Sequence, residues 1–184
     1  MEKAVRLFVL GVSLFATGCS HYAVNDYSPS AEHVSQLRND SKEPKVYIEE
    51  FQNSANVDER PTCRVGAKVS PAGQTGWAEY VRSALKSELI LAQRLTDRPS
   101  SSGVVIDGTL ERASFNSNSG RWELALRLDL SGSVNIRKRI IYKFETSFSG
   151  PAACNGVANA FPRAVDKLIG NIISEPEFKR ALDI

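Results

Sequence analysis

Histidine is scarce in this sequence, and the scarcity narrows the chemistry open to it. The chain has two histidines, His21 and His33, and both lie in a polar stretch near the N-terminus. If that stretch is a linker, the folded part has no imidazole to serve as a general base, to activate a nucleophile or to bind a transition metal. We therefore expect no catalytic residues, no metal site and no cofactor.

The sequence also has little net charge. The 23 lysines and arginines nearly balance the 21 acidic residues, which leaves a formal net charge of +2. A field this weak gives no reason to expect a nucleic-acid partner. Hydrophobic residues make up 42% and charged residues 24% of the chain, which is ordinary for a globular protein. We expect one folded domain of a common size.

The sequence lacks an apolar run of the roughly 20 residues that a membrane-spanning helix needs. The nearest candidate, residues 7–16, is uncharged, follows Lys3 and Arg6, and leads into Ala16-Thr17-Gly18-Cys19. A cationic start, a short apolar run and small residues in this order are typical of an export signal. The small residues directly before the cysteine resemble the bacterial lipobox.

The lipobox resemblance implies that residues 1–18 are removed and that Cys19 carries acyl chains, which anchor a protein stably when there are several. In this class an aspartate after the cysteine favours the inner membrane, so Ser20 favours the outer membrane, with the domain facing the periplasm. The alternatives are an ordinary secretory signal cut at a small-residue site and a buried N-terminal helix.

Two cysteines remain once Cys19 is assigned to the lipid. An even number in a compartment that permits disulfides predicts a bridge between Cys63 and Cys154. The alternatives are two free thiols, or a metal or nucleophilic role that would need histidine partners.

The chain divides into three parts by composition. Residues 1–18 are the signal peptide, residues 19–44 form a lipidated flexible tether rich in turn formers, and residues 45–184 form a single periplasmic domain. Within the domain, residues 52–76 hold several prolines and glycines without periodicity and are predicted to be a long loop, which in compact domains is often functional.

Hydrophobic periodicity predicts the elements of the domain. Apolar residues at spacings of three and four predict a helix at 77–94, and strict alternation over 121–131 predicts a strand with one buried face. Further strands are predicted at 45–51, 104–114 and 140–148. A C-terminal helix either starts near Pro162 or is kinked there, and a short final helix follows. The fold class is α+β, with an antiparallel sheet of about four strands packed on one face by two helices.

Basic residues cluster at Arg137, Lys138 and Arg139. They form either a solvated hairpin tip or a contact for lipid phosphate or an acidic partner. These three residues and the loop at 52–76 are the candidate contact regions, because exposed irregular segments on a rigid scaffold commonly carry recognition.

Two other features have both a functional and a structural interpretation. Ser83-Ala84-Leu85-Lys86 matches the S-x-x-K motif of penicillin-recognising enzymes, but the companion motifs are absent, which favours a solvent-facing serine. Trp77 and Trp122 could form a ligand platform, although their positions in the patterns favour core packing.

The order of elements resembles that of lipopolysaccharide-transport assembly lipoproteins, auxiliary lipoproteins of intermembrane lipid transporters, and lipoprotein activators of cell-wall synthases. The resemblance implies a lipid-anchored, non-enzymatic accessory protein that docks onto, or helps assemble, an envelope protein complex, and it transfers no site residue beyond Cys19. The alternatives are a lipid- or glycan-binding periplasmic module, or an envelope hydrolase that uses Ser83 and Lys86.

Overall fold

The structure is a computed structural model that describes residues 21–38 and 45–184. The predicted signal peptide, residues 1–18, and the predicted lipidation site, Cys19, lie outside the described residues. The helices and strands of the described part are, in chain order, β1 His21–Val24, α1 Ala31–Leu37, β2 Val46–Ile48, β3 Gln52–Asn53, β4 Lys68–Pro71, α2 Trp77–Leu91, β5 Val104–Asn116, β6 Arg121–Leu130, β7 Val134–Lys143, α3 Gly150–Ile173 and α4 Pro176–Leu182. None of these helices is long and apolar enough to span a bilayer.

Five strands form the main sheet, and their directions are mixed. β5, β6 and β7 follow one another as an antiparallel meander, whereas β2 and β3 both pair with β5 in parallel. The predicted purely antiparallel sheet of about four strands is therefore wrong. A parallel pair needs a long crossover connection, and the chain supplies one by running through α2 between β3 and β5.

The period-two pattern of β6 defines the core. Trp122 and the leucines at alternate positions along this strand are buried, as the alternation predicts. The helices α2 and α3 contact the sheet on this side. The rings of Trp77 and Trp122 lie 5.6 Å apart, and Phe161 lies 4.7 Å from each of them, so the predicted packing role of the tryptophans is confirmed.

The strand predicted at 140–148 lies earlier in the chain. β7 begins at Val134, because the chain turns at 131–133 with positive φ at Ser131 and Gly132, a conformation that glycine adopts readily. The basic cluster therefore lies within β7 rather than at a hairpin tip. The last long helix begins at Gly150 and continues past Pro162. Of the two alternatives given for this proline, a helix that starts near it is therefore wrong.

The described part of the predicted tether is folded onto the domain. β1 pairs in parallel with β4, and α1 buries His33, Val34 and Leu37. The expectation of a flexible linker is wrong for residues 21–38, because a few apolar side chains anchor an otherwise polar segment. The expectation that the folded part contains no histidine is also wrong, because His33 lies in α1 and is buried.

The segment 52–76 is not a bare loop. It contains β3, β4 and two turns of 3-10 helix, and a disulfide joins Cys63 to Cys154 with the Cα atoms 5.8 Å apart. The bridge predicted from cysteine counting is thus present. Next to it, the guanidinium of Arg64 donates hydrogen bonds to the carbonyl oxygens of Ser147 at 2.6 Å and Ser117 at 2.8 Å. These contacts fasten the segment to the end of the sheet.

Candidate docking surface

The sheet has an open face on the side opposite to α2 and α3. Because side chains alternate along a strand, the residues between the buried positions of β5, β6 and β7 point to this face. A β-bulge between Leu110 and Arg112 adds one residue to β5, so Glu111 and Arg112 both lie at the open face. The bulge therefore brings two adjacent charged side chains to one place.

A groove of about 620 Å³ crosses this face, and we call it the arginine groove. Three arginines from two strands line it, together with polar and small residues. The lining residues are Ser54, Asn56, Glu111, Arg112, Ala125, Arg137 and Arg139.

Two carboxylates, one in the groove and one beside it, are less exposed than the guanidinium groups that pair with them. Nε of Arg137 is 2.6 Å from Oε2 of Glu111, and Glu123 pairs with Arg139 and lies 3.8 Å from Nε of Arg112. The two glutamate side chains are 21% and 16% exposed, whereas the arginine side chains are 53 to 71% exposed. The groove thus presents cations to solvent while its anions lie beneath them.

The predicted basic cluster divides between the two faces of the sheet. Arg137 and Arg139 lie in the arginine groove, whereas Lys138 points to the helical side and pairs with Glu175 before α4. Arg112, which is remote in sequence, completes the groove and was missed. Its signal was the extra charged residue in the otherwise alternating strand at 104–114.

A second group of polar side chains, centred on the buried His33 and Glu88, lies where α1 meets α2 and α3. Oε1 of Glu88 accepts hydrogen bonds from the hydroxyl of Tyr27 at 2.6 Å and from the backbone N–H of Ser30 at 2.9 Å. Nδ1 of His33 lies 3.2 Å from the same oxygen and 3.6 Å from Oδ1 of Asp166. We call this group the histidine cluster.

The centre of the histidine cluster is a buried contact between an imidazole and a carboxylate, and each shifts the pKa of the other toward its charged form. The hydrogen bond to Glu88 raises the pKa of His33 above its ordinary value, although burial opposes the shift. Burial tends to raise the pKa of Glu88, but the hydrogen bonds from His33, Tyr27 and Ser30 outweigh it and hold this pKa below its ordinary value. Burial and the contact with Glu88 also raise the pKa of the Tyr27 hydroxyl.

His33, Glu88 and Asp166 are residue types that bind metals, and one ligand atom from each lies within 4.8 Å of the others. However, Glu88 already accepts hydrogen bonds from the segment that precedes α1, and the raised pKa of His33 favours the imidazolium, which cannot coordinate a metal through Nδ1. The arrangement therefore fits an ion pair that fastens the N-terminal segment.

The S-x-x-K motif lies on α2. The hydroxyl of Ser83 donates a hydrogen bond to Oε1 of Glu79 at 2.9 Å, and among the described residues no hydrogen bond joins Ser83 to Lys86. Ser83 is exposed to solvent, as the solvent-facing interpretation expects.

No protein-family model and no curated protein matches the sequence. Several solved structures resemble this chain, including the following two. One is an uncharacterized protein with 10% identity, covering 83% of this chain and 97% of the other, at a TM-score of 0.49. The second is protein XCC0632 from Xanthomonas campestris, of family model DUF330, with 12% identity, covering 84% of this chain and 95% of the other, at a TM-score of 0.47. Similarity at this level assigns neither a family nor a function.

Proposed function

We propose that this protein is a lipid-anchored, non-enzymatic accessory protein of the bacterial envelope that binds a protein partner through the arginine groove. The observation that carries the proposal is the arrangement of charge in the groove. Arg112, Arg137 and Arg139 expose their guanidinium groups above two partly buried glutamates, on a face of the sheet that α2 and α3 leave open. Arginine is enriched at protein interfaces because its planar group can form paired hydrogen bonds with carboxylates.

The anchor rests on the order of features in the first 20 residues. Lys3 and Arg6, an uncharged run and small residues precede Cys19, and acyl chains on this cysteine would hold the domain at a membrane. Mass spectrometry of protein extracted from the membrane is expected to show Cys19 as the acylated N-terminus. Retention of residues 1–18 in the mature protein, or an N-terminal cysteine without acyl groups, would remove the anchor from the proposal.

The docking function is tested by site-specific photo-cross-linking in cells that make the protein. A photoreactive residue replaces Asn56, which is exposed at the arginine groove, and in a control protein it replaces Asn171, which is exposed on α3. We expect one envelope protein to be cross-linked from position 56 and not from position 171. Equal cross-linking from both positions, or none from either, would contradict a docking role for the groove.

Loss of the arginine charges is the second test. Arg137→Gln combined with Arg139→Gln is expected to abolish the cross-link from position 56, whereas Arg163→Gln on the exposed surface of α3 preserves it. Since exposed ion pairs contribute only about 0 to 1 kcal/mol to stability, both proteins are expected to fold. A full-strength cross-link in the double variant would show that the arginines do not recognise the partner.

A further inference from the structure

The strand β7 forms one edge of the main sheet. It pairs with β6 over all ten of its residues without a register shift, and in the described part of the chain no strand pairs with its outer side. At the other edge, β2 and β3 have only three and two residues. Natural proteins commonly block a long edge with proline, a bulge, charged side chains or a covering loop. β7 contains no proline and no bulge, and of these devices it carries charged side chains.

The hydrogen bonds fix which backbone groups of this edge point outward. The N–H of Phe144 donates to the carbonyl oxygen of Gly120 at 2.7 Å, in register with the β6–β7 pairing. Because bonded and non-bonded pairs alternate in an antiparallel ladder, the N–H and C=O groups of Arg137, Arg139 and Ile141 point away from β6. In agreement, Nζ of Lys167 on α3 lies 3.3 Å from the carbonyl oxygen of Ile141.

The side chains along this edge are cationic. Arg137 and Arg139 are 71% and 65% exposed on the open face, and Lys143 and Lys167 are exposed at the end of the strand and on α3. Among the described residues neither lysine forms a salt bridge. One exposed apolar side chain, Ile141, lies among these cations.

From the outward backbone groups and this charge pattern, we propose that β7 accepts an extended acidic segment of a protein partner as an added strand. This inference rests on the docking function proposed above and names how the partner binds. Main-chain hydrogen bonds supply affinity when a strand is added to a sheet edge, and alternate side chains supply specificity. Acidic side chains at alternate positions of the segment lie beside Arg137 and Arg139, and an apolar side chain lies beside Ile141.

A second copy of this chain fits the edge poorly. Antiparallel pairing of two β7 strands about Arg139 sets this residue opposite its own copy, and pairing about Lys138 sets Arg137 opposite Arg139. Like charges directly opposite one another destabilise a strand pair. The chemistry of the edge therefore favours a different, acidic partner.

The probe is a peptide of about nine residues with glutamate at alternate positions, valine replacing one glutamate, and threonine between. Two controls carry lysine in place of glutamate, or the same residues with the glutamates placed next to one another. With the full protein, we expect fluorescence anisotropy to show about tenfold tighter binding of the alternating acidic peptide than of either control. Equal binding of all three peptides would contradict an edge that reads alternating acidic side chains.

Hydrogen exchange locates the peptide on the unmodified protein. The outward amides of Arg137, Arg139 and Ile141 are expected to exchange about tenfold more slowly with the peptide bound, because they gain a hydrogen-bond partner. The amides of Ile136 and Ile140, which pair with β6, are expected to change little. Protection spread over the open face, or none along β7, would contradict strand addition, as would a dimer of the free protein with the β7 amides already protected.

Substitutions separate the edge from the rest of the groove. Arg139→Thr is expected to weaken binding about two- to fivefold, the effect of one exposed charge pair, whereas Arg112→Thr, on β5 in the same groove, changes it less than about twofold. Arg139→Pro also removes the backbone N–H of this residue, which points outward and forms no hydrogen bond to β6. This variant is expected to keep its circular dichroism spectrum and to lose peptide binding. Equal effects of Arg112→Thr and Arg139→Thr would place the peptide across the face.

The two proposals fail in different ways. A cross-link from position 56 that requires the groove arginines, together with unchanged exchange of the β7 amides when that partner binds, would leave the docking function in place and overturn strand addition. Absence of both the cross-link and peptide binding would overturn both proposals.

Discussion

His33 and Glu88 are separated by 55 residues in sequence, yet Nδ1 of the histidine lies 3.2 Å from Oε1 of the glutamate in a buried site. This contact joins α1, in the segment that enters the domain from the N-terminal side, to the last turn of α2. Because Tyr27 and Ser30 donate to the same oxygen, one carboxylate of Glu88 contacts three residues of the N-terminal segment. These contacts add to the pairing of β1 with β4 in fastening the segment to the domain.

Replacement of either member of the pair is expected to destabilise the protein. His33→Ala leaves the buried carboxylate without its cationic partner, and Glu88→Gln removes the charge that His33 faces, so each should lower the free energy of unfolding by about 2 to 4 kcal/mol. Urea denaturation measures the change. The control is His21→Ala, since the exposed side chain of His21 lies 2.7 Å from the hydroxyl of Ser70 and its loss should cost about 0.5 to 1.5 kcal/mol. If His33→Ala and His21→Ala lowered the free energy of unfolding equally, the contact between His33 and Glu88 would contribute no more to stability than an exposed hydrogen bond.

The pair also predicts a pH dependence. The pKa of His33 in the folded state lies above 6.5, so its stabilisation is fully present below pH 6.5 and is lost as the pH rises through the folded value. The pKa of Glu88 in the folded state lies below 4.5, so its stabilisation is present above pH 4.5 and is lost as the pH falls through the folded value. Together the two groups stabilise the protein most between pH 4.5 and 6.5.

The measurement is the free energy of unfolding from pH 4 to 9 for the natural protein and for His33→Ala. The difference between the two proteins should be largest near pH 5.5 and should shrink toward pH 9. A difference that stays constant, or grows with rising pH, would contradict a charged His33 in the folded state.

The sequence was most informative where packing alone decides the structure. The alternation along β6 and the helical spacing of α2 follow directly from the burial of one face, and both elements lie where they were predicted. The direction of β2 was not predictable in this way, because parallel and antiparallel strands bury similar residues and only the crossover through α2 distinguishes them. The N-terminal segment was missed because Val34 and Leu37 are too few to produce a periodic signal.

The candidate docking surface was only half predictable. Arg137 and Arg139 were named as contacts, but at a hairpin tip, since charged residues interrupt the apolar pattern of β7 and hide the strand. Pairing with β6 supplies the missing information, because it places Ile136 and Ile140 in the core and the arginines on the open face. Arg112 joins them through a bulge, whose local sign is the pair of adjacent charged residues, Glu111 and Arg112, in an otherwise alternating strand.

The disulfide is expected to contribute substantially to stability. It links residues 91 positions apart, and closing a loop of that length in the unfolded chain is worth at most about 4 to 5 kcal/mol. The double variant Cys63→Ala, Cys154→Ala should lose about 2 to 5 kcal/mol. Denaturation of the natural protein with and without reductant gives a second measurement, and the double variant serves as its control because reductant should not affect it. An unchanged midpoint on reduction of the natural protein would contradict this role.

Gly170 faces the histidine cluster from α3. A Cβ atom on this residue would lie 2.7 Å from Nε2 of His33, whereas a Cβ atom on Gly156, also in α3, would meet its nearest neighbour, the carbonyl oxygen of Glu145, at 3.4 Å. Alanine in a helix is favoured over glycine by about 0.8 to 1 kcal/mol. Gly156→Ala should realise part of this gain, while Gly170→Ala should destabilise the protein because the ring cannot move without leaving Glu88.

The double variant separates propensity from the clash. In a His33→Ala background the obstructing ring is gone, so Gly170→Ala should become stabilising by up to about 1 kcal/mol, and the two substitutions should be clearly non-additive. The effects of Gly156→Ala and His33→Ala on the free energy of unfolding should be additive, because a Cβ atom on Gly156 would not contact the ring of His33. If Gly170→Ala destabilised both backgrounds equally, the glycine would be required by the packing of α3 and not by the position of His33.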